Sequence, residues 1–160
     1  MIEQMSTFYL NGNRYGLPAS DVQEIVPRVE ITEVPLAPEH ILGLINLRGQ
    51  FATVVSLSKL FGIPDSDGAM NVVCRSGDSV LAFSVDEVGD VIEVDQSMLI
   101  STPGTIPRSV ASFLTSIYRS ESSVYGIISI KKVTDFLIAN SHSVVHANNH
   151  SLAHLARKVQ

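Results

Sequence analysis

The stretch that decides the fold runs from Val34-Pro35, through a short spacer, to Ile41-Leu42-Gly43-Leu44-Ile45-Asn46-Leu47-Arg48-Gly49, and on to Val54-Val55-Ser56-Leu57. Ile31 to Val34 reads as an extended piece ended by Pro35 and Pro38, which cannot donate to a ladder. Ile41 to Leu47 is strongly apolar, with Gly43 set inside it. Arg48-Gly49 then makes a tight reversal into Phe51 to Leu57, a strand rich in β-branched residues. Gly49 permits a backbone turn that a side chain would obstruct. Asn46 has a short amide that can bond local backbone groups and fix that turn. Arg48 presents a planar fork of donors suited to carbonyls or a carboxylate. Two readings stand for it, an internal brace and an anchor for a partner.

Working outward, Thr7-Phe8-Tyr9-Leu10 predicts a strand, Asn11-Gly12 a hairpin turn, and Arg14 to Leu17 the return. Ser20 and Gln23 have capping-box spacing, and Val22, Ile25 and Val26 share one helical face. A short helix is predicted there, stopped by Pro27. On the other side, Ser58 to Phe61 reads as one helical turn before Gly62. Pro64 to Ala69 reads as a surface loop. Val72 to Arg75 and Val80 to Val85 are predicted strands joined around Gly77-Asp78, and Val88 to Val94 is another. Val110 to Tyr118 and Val124 to Ile130 predict a hairpin across Ser120 to Ser123, with a helix over Lys131 to Ala139. The tail from Asn140 is poorer in core residues and reads as a loose or docked helix. Many short strands with close turns predict an all-β barrel or sandwich with short helices.

The composition supports a packed core. The chain has 160 residues, 45% hydrophobic and only 17% charged, enough for one domain or two small subdomains sharing a core. A net charge of -5 and no run of Lys and Arg argue against nucleic-acid binding. The longest apolar stretches fall far short of a bilayer span, and Met1-Ile2-Glu3-Gln4 does not open a signal peptide. The single cysteine, Cys74, cannot form an intrachain disulfide, so a reducing cytoplasm is the simplest compartment.

Catalytic patterns are missing from the sequence. It has no phosphate-binding glycine loop, dinucleotide fingerprint, Cys-x-x-Cys pair or Gly-x-Ser-x-Gly elbow. Cys74 lies mid-strand and reads as a small core hydrophobe. Asp86-Glu87, Asp90, Glu93 and Asp95 read as the polar face and turn of a strand. His142, His146, His150 and His154 recur every four residues. On a helix each step drifts about 40°, so all four would share a broad face, and such pairs can grip a metal ion. Weak helix formers such as Asn148-Asn149, and the lack of acidic or Cys co-ligands, favour an ordinary tail. No metal or cofactor is expected.

Taken in order, these pieces resemble CheW-like domains. The resemblance rests on Val34-Pro35, the Gly43-x-x-Asn46-Leu47-Arg48-Gly49 run and the strand to Leu57. Phe8, Leu10, Tyr15 and Gly16 resemble the family's first hairpin, and Val22-x-Glu24-Ile25 a further segment. Phe83-x-Val85-Asp86-x-Val88 and Ile127-Ile128-x-Ile130-x-x-Val133 complete the set, which covers residues 6 to 138. The resemblance implies two small five-stranded SH3-like barrels around a shared hydrophobic core over 6–138, with 139–160 as a tail. It implies a non-enzymatic adaptor without an active site. Its partners would be a chemoreceptor's cytoplasmic helical tip and the regulatory domain of a histidine kinase, which has the same fold. By position it implicates Val22, Glu24, Asn46, Arg48, Gly49 and Val72 in partner binding. A helical tip would lie in an apolar groove with polar edges. For Val22 and Val72 core packing is the competing reading.

Three positions depart from the family's habit. Thr53 stands where Pro is frequent, Ser56 where Asp is frequent, and Ser129 where an acidic residue is common. Losing Pro is expected to loosen a strand start. Losing carboxylates is expected to alter partner choice. The alternatives are therefore a divergent adaptor of another chemosensory pathway, for pili or surface behaviour, and a small enzyme or ligand-binding barrel. The last needs an enclosed pocket with convergent polar groups.

Overall fold

A computed structural model describes residues 1–64 and 68–140. The four tail histidines, and the middle of the predicted 64–69 loop, lie outside the described residues. Eleven strands make two sheets. In chain order they are β1 (Ile2–Leu10), β2 (Asn13–Pro18), β3 (Val22–Pro27), β4 (Ile41–Leu47), β5 (Gln50–Ser56) and β6 (Met70–Ser76). They continue with β7 (Ser79–Val85), β8 (Glu87–Asp95), β9 (Leu99–Ile100), β10 (Leu114–Arg119) and β11 (Val124–Ile128). Helix α1 spans Leu57–Phe61, α2 spans Arg108–Ala111, and α3 is described over 130–140. One sheet has the order β8-β1-β2-β11-β10-β9, its sixth member being the two-residue β9. The other has the order β3-β6-β7-β5-β4.

The two ends of the chain build the first sheet, and everything from β3 to β7 builds the second. The chain leaves β2 through a 3-10 turn, Ala19–Asp21, and returns at Asp86. That return is pinned. The Asp86 amide donates to the Tyr9 carbonyl at 3.1 Å, and its Oδ2 accepts from the Asn11 amide at 2.8 Å. Asn11 and Gly12 both have positive φ, the geometry a two-residue hairpin requires.

Strands β5, β6 and β7 are nearly continuous apolar runs because both of their faces are buried. In β7, Leu81, Phe83 and Val85 enter the core shared between the sheets, while Val80 and Ala82 pack with Val54, Val73 and Ile45 inside the second sheet. Inside the first sheet, Met5, Val94 and Ile127 form the matching cluster. The shared core joins Phe8, Tyr15 and Leu17 to Phe61 and Phe83, and Phe113 stacks on Phe61 at 5.9 Å. Aromatic rings fill the space between the sheets where a ligand-binding barrel would need a pocket.

The second sheet closes on itself. Past β3 the chain swings back, and Thr32 pairs with Leu44 on β4, at the far edge of the sheet. The two residues exchange amide-to-carbonyl bonds of 2.9 and 2.8 Å. Gly43 makes this approach feasible. A Cβ there would run into the Thr32 carbonyl and stand 2.6 Å from Ile31 Cγ2, and φ is +146°.

Three predicted elements differ. The helix expected from Ser20 to Val26 is instead a 3-10 turn followed by β3. Val22, Ile25 and Val26 do recur at helical spacing, but pairing with Cys74, Val72 and Asn71 of β6 wins over that local pattern. A bulge between Val22 and Glu24 shifts the register. The strand expected from Val110 splits into α2, which follows Pro107 at its N-cap, and β10, and Val110 and Phe113 drop into the core. The extended piece at Ile31 to Val34 is reduced to the single Thr32 bridge. Helix α3 begins at residue 130, one position before its predicted start.

Two consequences can be measured. Gly43→Ala is expected to cost more than about 2 kcal/mol in urea unfolding, whereas Gly104→Ala, with open space around it, stays within about 0.5 kcal/mol of the parent. An unshifted midpoint for Gly43→Ala would show that closure does not need the close approach. Cys74 is buried, and burial first, then the Asp21 charge, pushes its thiol up to about 12. It therefore stays protonated across the neutral range and reacts with a disulfide reagent only as fast as the protein opens. Rapid stoichiometric labelling of the folded protein at about pH 8 would contradict this placement.

Candidate functional site

Closure of the second sheet brings the β4–β5 turn against β3. Arg48 and Gly49 occupy the turn with φ of 56° and 87°. Positive φ is strained for arginine, and the turn needs a fixing contact. Asn46 supplies it, its Oδ1 accepting from the Gly49 amide at 2.8 Å. Nothing would meet a Cβ on Gly49, so its requirement is the backbone angle and not space.

From this turn the Arg48 guanidinium reaches across to the Glu24 carboxylate on β3 and forms an ion pair. The pair is lopsided. Glu24 keeps 21% of its side-chain surface, whereas Arg48 keeps 79%. The carboxylate is seated, and the guanidinium lies over it with most of its surface facing outward. A second contact runs alongside. Gln23 Nε2 donates to Gln50 Oε1 at 3.3 Å, and Arg75 on β6 donates to Gln23 Oε1 at 3.1 Å. Ile25, next to Glu24, is 38% exposed on the same strand.

Of the six positions singled out by sequence, Glu24, Asn46, Arg48 and Gly49 come together in this patch. Val22 is half-buried at the start of β3 and packs against the shared core. Val72 is 1% exposed, directly paired with Ile25. Its side chain belongs to the core, so it backs β3 and presents nothing outward. Gln23, Gln50 and Arg75 were not singled out by sequence. Gln50 had a signal, since it follows the turn; Gln23 and Arg75 meet only through the β3–β6 pairing.

The three departures lie in a strand ladder and two helix caps. Thr53 lies mid-strand, paired with Leu44 on one side and Leu81 on the other. A threonine there keeps an amide that can join the ladder, which a proline would lack. Ser56 is 5% exposed and caps α1, its Oγ accepting from the Lys59 amide at 3.2 Å. Ser129 caps α3 in the same way, accepting from Lys132 at 3.1 Å. Serine and aspartate are interchangeable as N-caps, so these substitutions keep the cap.

Among the described residues no cluster of His, Cys, Asp and Glu could hold a metal ion, and no helix is long and apolar enough to cross a membrane. His40 is the one half-buried imidazole there; burial lowers its pKa, opposed by the Glu39 charge, and its ring lies 5.5 Å from Phe136.

Comparison with known proteins places this architecture. The CheW-like domain family matches residues 4–136. The chemotaxis protein CheW of Bacillus subtilis (strain 168) is 29% identical over 136 residues, covering 83% of this chain and 87% of that protein. The chemotaxis protein CheW of Treponema pallidum (strain Nichols) is 28% identical over 137 residues, covering 81% of each. Among solved structures, the scaffolding protein TtCheW from Thermoanaerobacter tengcongensis superposes with a TM-score of 0.73 at 32% identity, over 81% of this chain and 86% of that one. With two β-barrel-like halves around one core and a match along nearly its whole described length, the chain belongs to the CheW-like family.

Proposed function

We propose that this chain is a scaffold of chemotaxis signalling, a non-catalytic adaptor that couples receptors to a kinase. Family membership supports the class. The observation that carries the site is the lopsided pair, an outward guanidinium held by a seated carboxylate. An exposed ion pair contributes only about 0–1 kcal/mol to stability. The value of this one lies in presentation, since Asn46, Gly49 and Glu24 together hold Arg48 in one direction.

In this reading the receptor's helical tip lies along β3, with Val22 and Ile25 as apolar contacts and Glu24 and Arg48 as polar edges that set its register. The kinase's regulatory domain, of the same fold, is the second partner. Val72, paired with Ile25, ties β3 to β6. Residues 6–138 form the binding unit, and 139–160 are an appended tail. The departures at Thr53, Ser56 and Ser129 lie in ladders and caps, so they give no reason to assign a different output.

The test is binding by calorimetry to a receptor cytoplasmic fragment and to a kinase regulatory domain. Arg48→Glu is expected to weaken one or both at least tenfold while shifting unfolding by no more than about 1 kcal/mol. Glu24→Arg alone behaves likewise, and the double exchange restores the pair without restoring full affinity. If the unaltered protein binds neither partner, the adaptor reading fails. If it binds both and Arg48→Glu changes nothing, only the site is wrong.

A further inference from the structure

Away from that patch, α1, α2 and α3 enclose a groove of about 660 Å³. Its floor is apolar. Leu60 of α1, Phe113 after α2 and Phe136 of α3 line it, and the two rings meet edge to face at 5.1 Å. Its rim is cationic. Asp135 is paired with Lys131 at 2.7 Å, so that carboxylate is already answered. Lys132 Nζ donates to the Leu114 carbonyl at 2.8 Å, which holds the ammonium in place and leaves its charge uncancelled. Arg108 is exposed and, among the described residues, has no carboxylate partner. Two such cations beside an aromatic floor stand out on a chain whose net charge is -5.

An occupant has to suit both features. Apolar side chains suit the rings, and polar groups set there without a bond would be penalised. Carboxylates suit Arg108 and Lys132, the guanidinium offering a two-pronged contact. The lining comes from three helices and the turn after α2, with no strand edge. An occupant therefore gains no main-chain ladder and must satisfy its own backbone, which selects a helix with one apolar face. This chain does not supply one with the right charge. Residues 141–160 contain no Asp or Glu, and none of the described helices carries more than one carboxylate.

We infer that this groove docks an acidic amphipathic helix of a partner protein, its apolar face on Phe136 and its carboxylates on Arg108 and Lys132. The inference goes beyond the adaptor reading and uses none of the residues of the Glu24–Arg48 patch, so either can fail alone. The charge complement supplies selectivity, and the rings supply the contact area.

Fluorescence anisotropy with the full chain and two labelled synthetic peptides tests this. Each peptide is about four helical turns long with Leu on one face; one carries Glu along both edges, the other Lys. The Glu peptide is expected to bind at micromolar concentration, about tenfold or more tightly than the Lys peptide, and to weaken as salt is raised. Arg108→Glu is expected to weaken the Glu peptide about tenfold. Arg119→Glu, the same change of charge at the end of β10, is expected to leave its affinity within about twofold. Amide hydrogen exchange with the Glu peptide bound is expected to slow α2 and α3 and to leave β3 unchanged. Equal affinity for both peptides, binding of neither, or equal weakening by the two arginine variants would overturn the inference, as would protection at β3 in place of α2 and α3. Vesicles of phosphatidylcholine and phosphatidylglycerol that bind through Arg108 while the Glu peptide does not would assign the groove to a membrane surface, and would overturn it too.

Discussion

The pairing of Thr32 with Leu44 across Gly43 is the contact on which the rest of the molecule depends. Without it the five-stranded sheet has two open edges, β3 and β4. Open edges expose unpaired backbone groups and invite association with other chains. With it the segment that follows β3 reaches β4, and Ile45, Val54, Val73 and Ala82 acquire an enclosed interior. The Glu24–Arg48 patch is a by-product of the same closure. Glu24 and Arg48 are 24 residues apart and on opposite edges of the sheet. Only a closed sheet lets one guanidinium lie over that carboxylate. The Glu24–Arg48 ion pair and the barrel seam are one feature.

The seam is held rigid from behind. Because the N-terminal hairpin and the C-terminal strands form the first sheet, the second is an insertion between two ends that are themselves paired. Phe8, Tyr15 and Leu17 from one sheet, Val72 and Phe83 from the other, and Phe61 from α1 fill a single core. Neither half buries its outer face alone, so the sheets are expected to unfold together. The Glu24–Arg48 patch, at two edge strands, thus rests on the core that both sheets share.

Much of this was legible in the sequence, for stated reasons. Asn11-Gly12 and Arg48-Gly49 identify hairpins because both central residues need positive φ, and both turns have it. Continuous apolar runs at β5, β6 and β7 identify strands buried on two faces. What failed was the segment from Ser20 to Val26, where helical spacing and a capping pattern coincide by chance. Local signals could not reveal that β6 would claim these residues. At the site, Asn46, Arg48 and Gly49 were readable from the turn, and Glu24 from resemblance. Gln23 and Arg75 were not, since their contact exists only across the bulged β3–β6 ladder. Val72 was ambiguous because an inward and an outward valine on a paired strand look alike until the register is known.

The register also settles how far the unusual residues can matter. A residue that differs from its relatives changes recognition only if its side chain reaches the surface where recognition occurs. Ser56 does not, being 5% exposed with its hydroxyl committed to the first turn of α1. Ser129 spends its hydroxyl on the first turn of α3. In both places a carboxylate would accept the same amide bond, so the geometric demand is met either way, and what changes is one unit of charge at a helix start. Thr53 adds a backbone donor within β5, between β4 and β7. Each of the three departures thus has a place in a cap or a ladder of this fold, which accounts for the residue without reference to a partner.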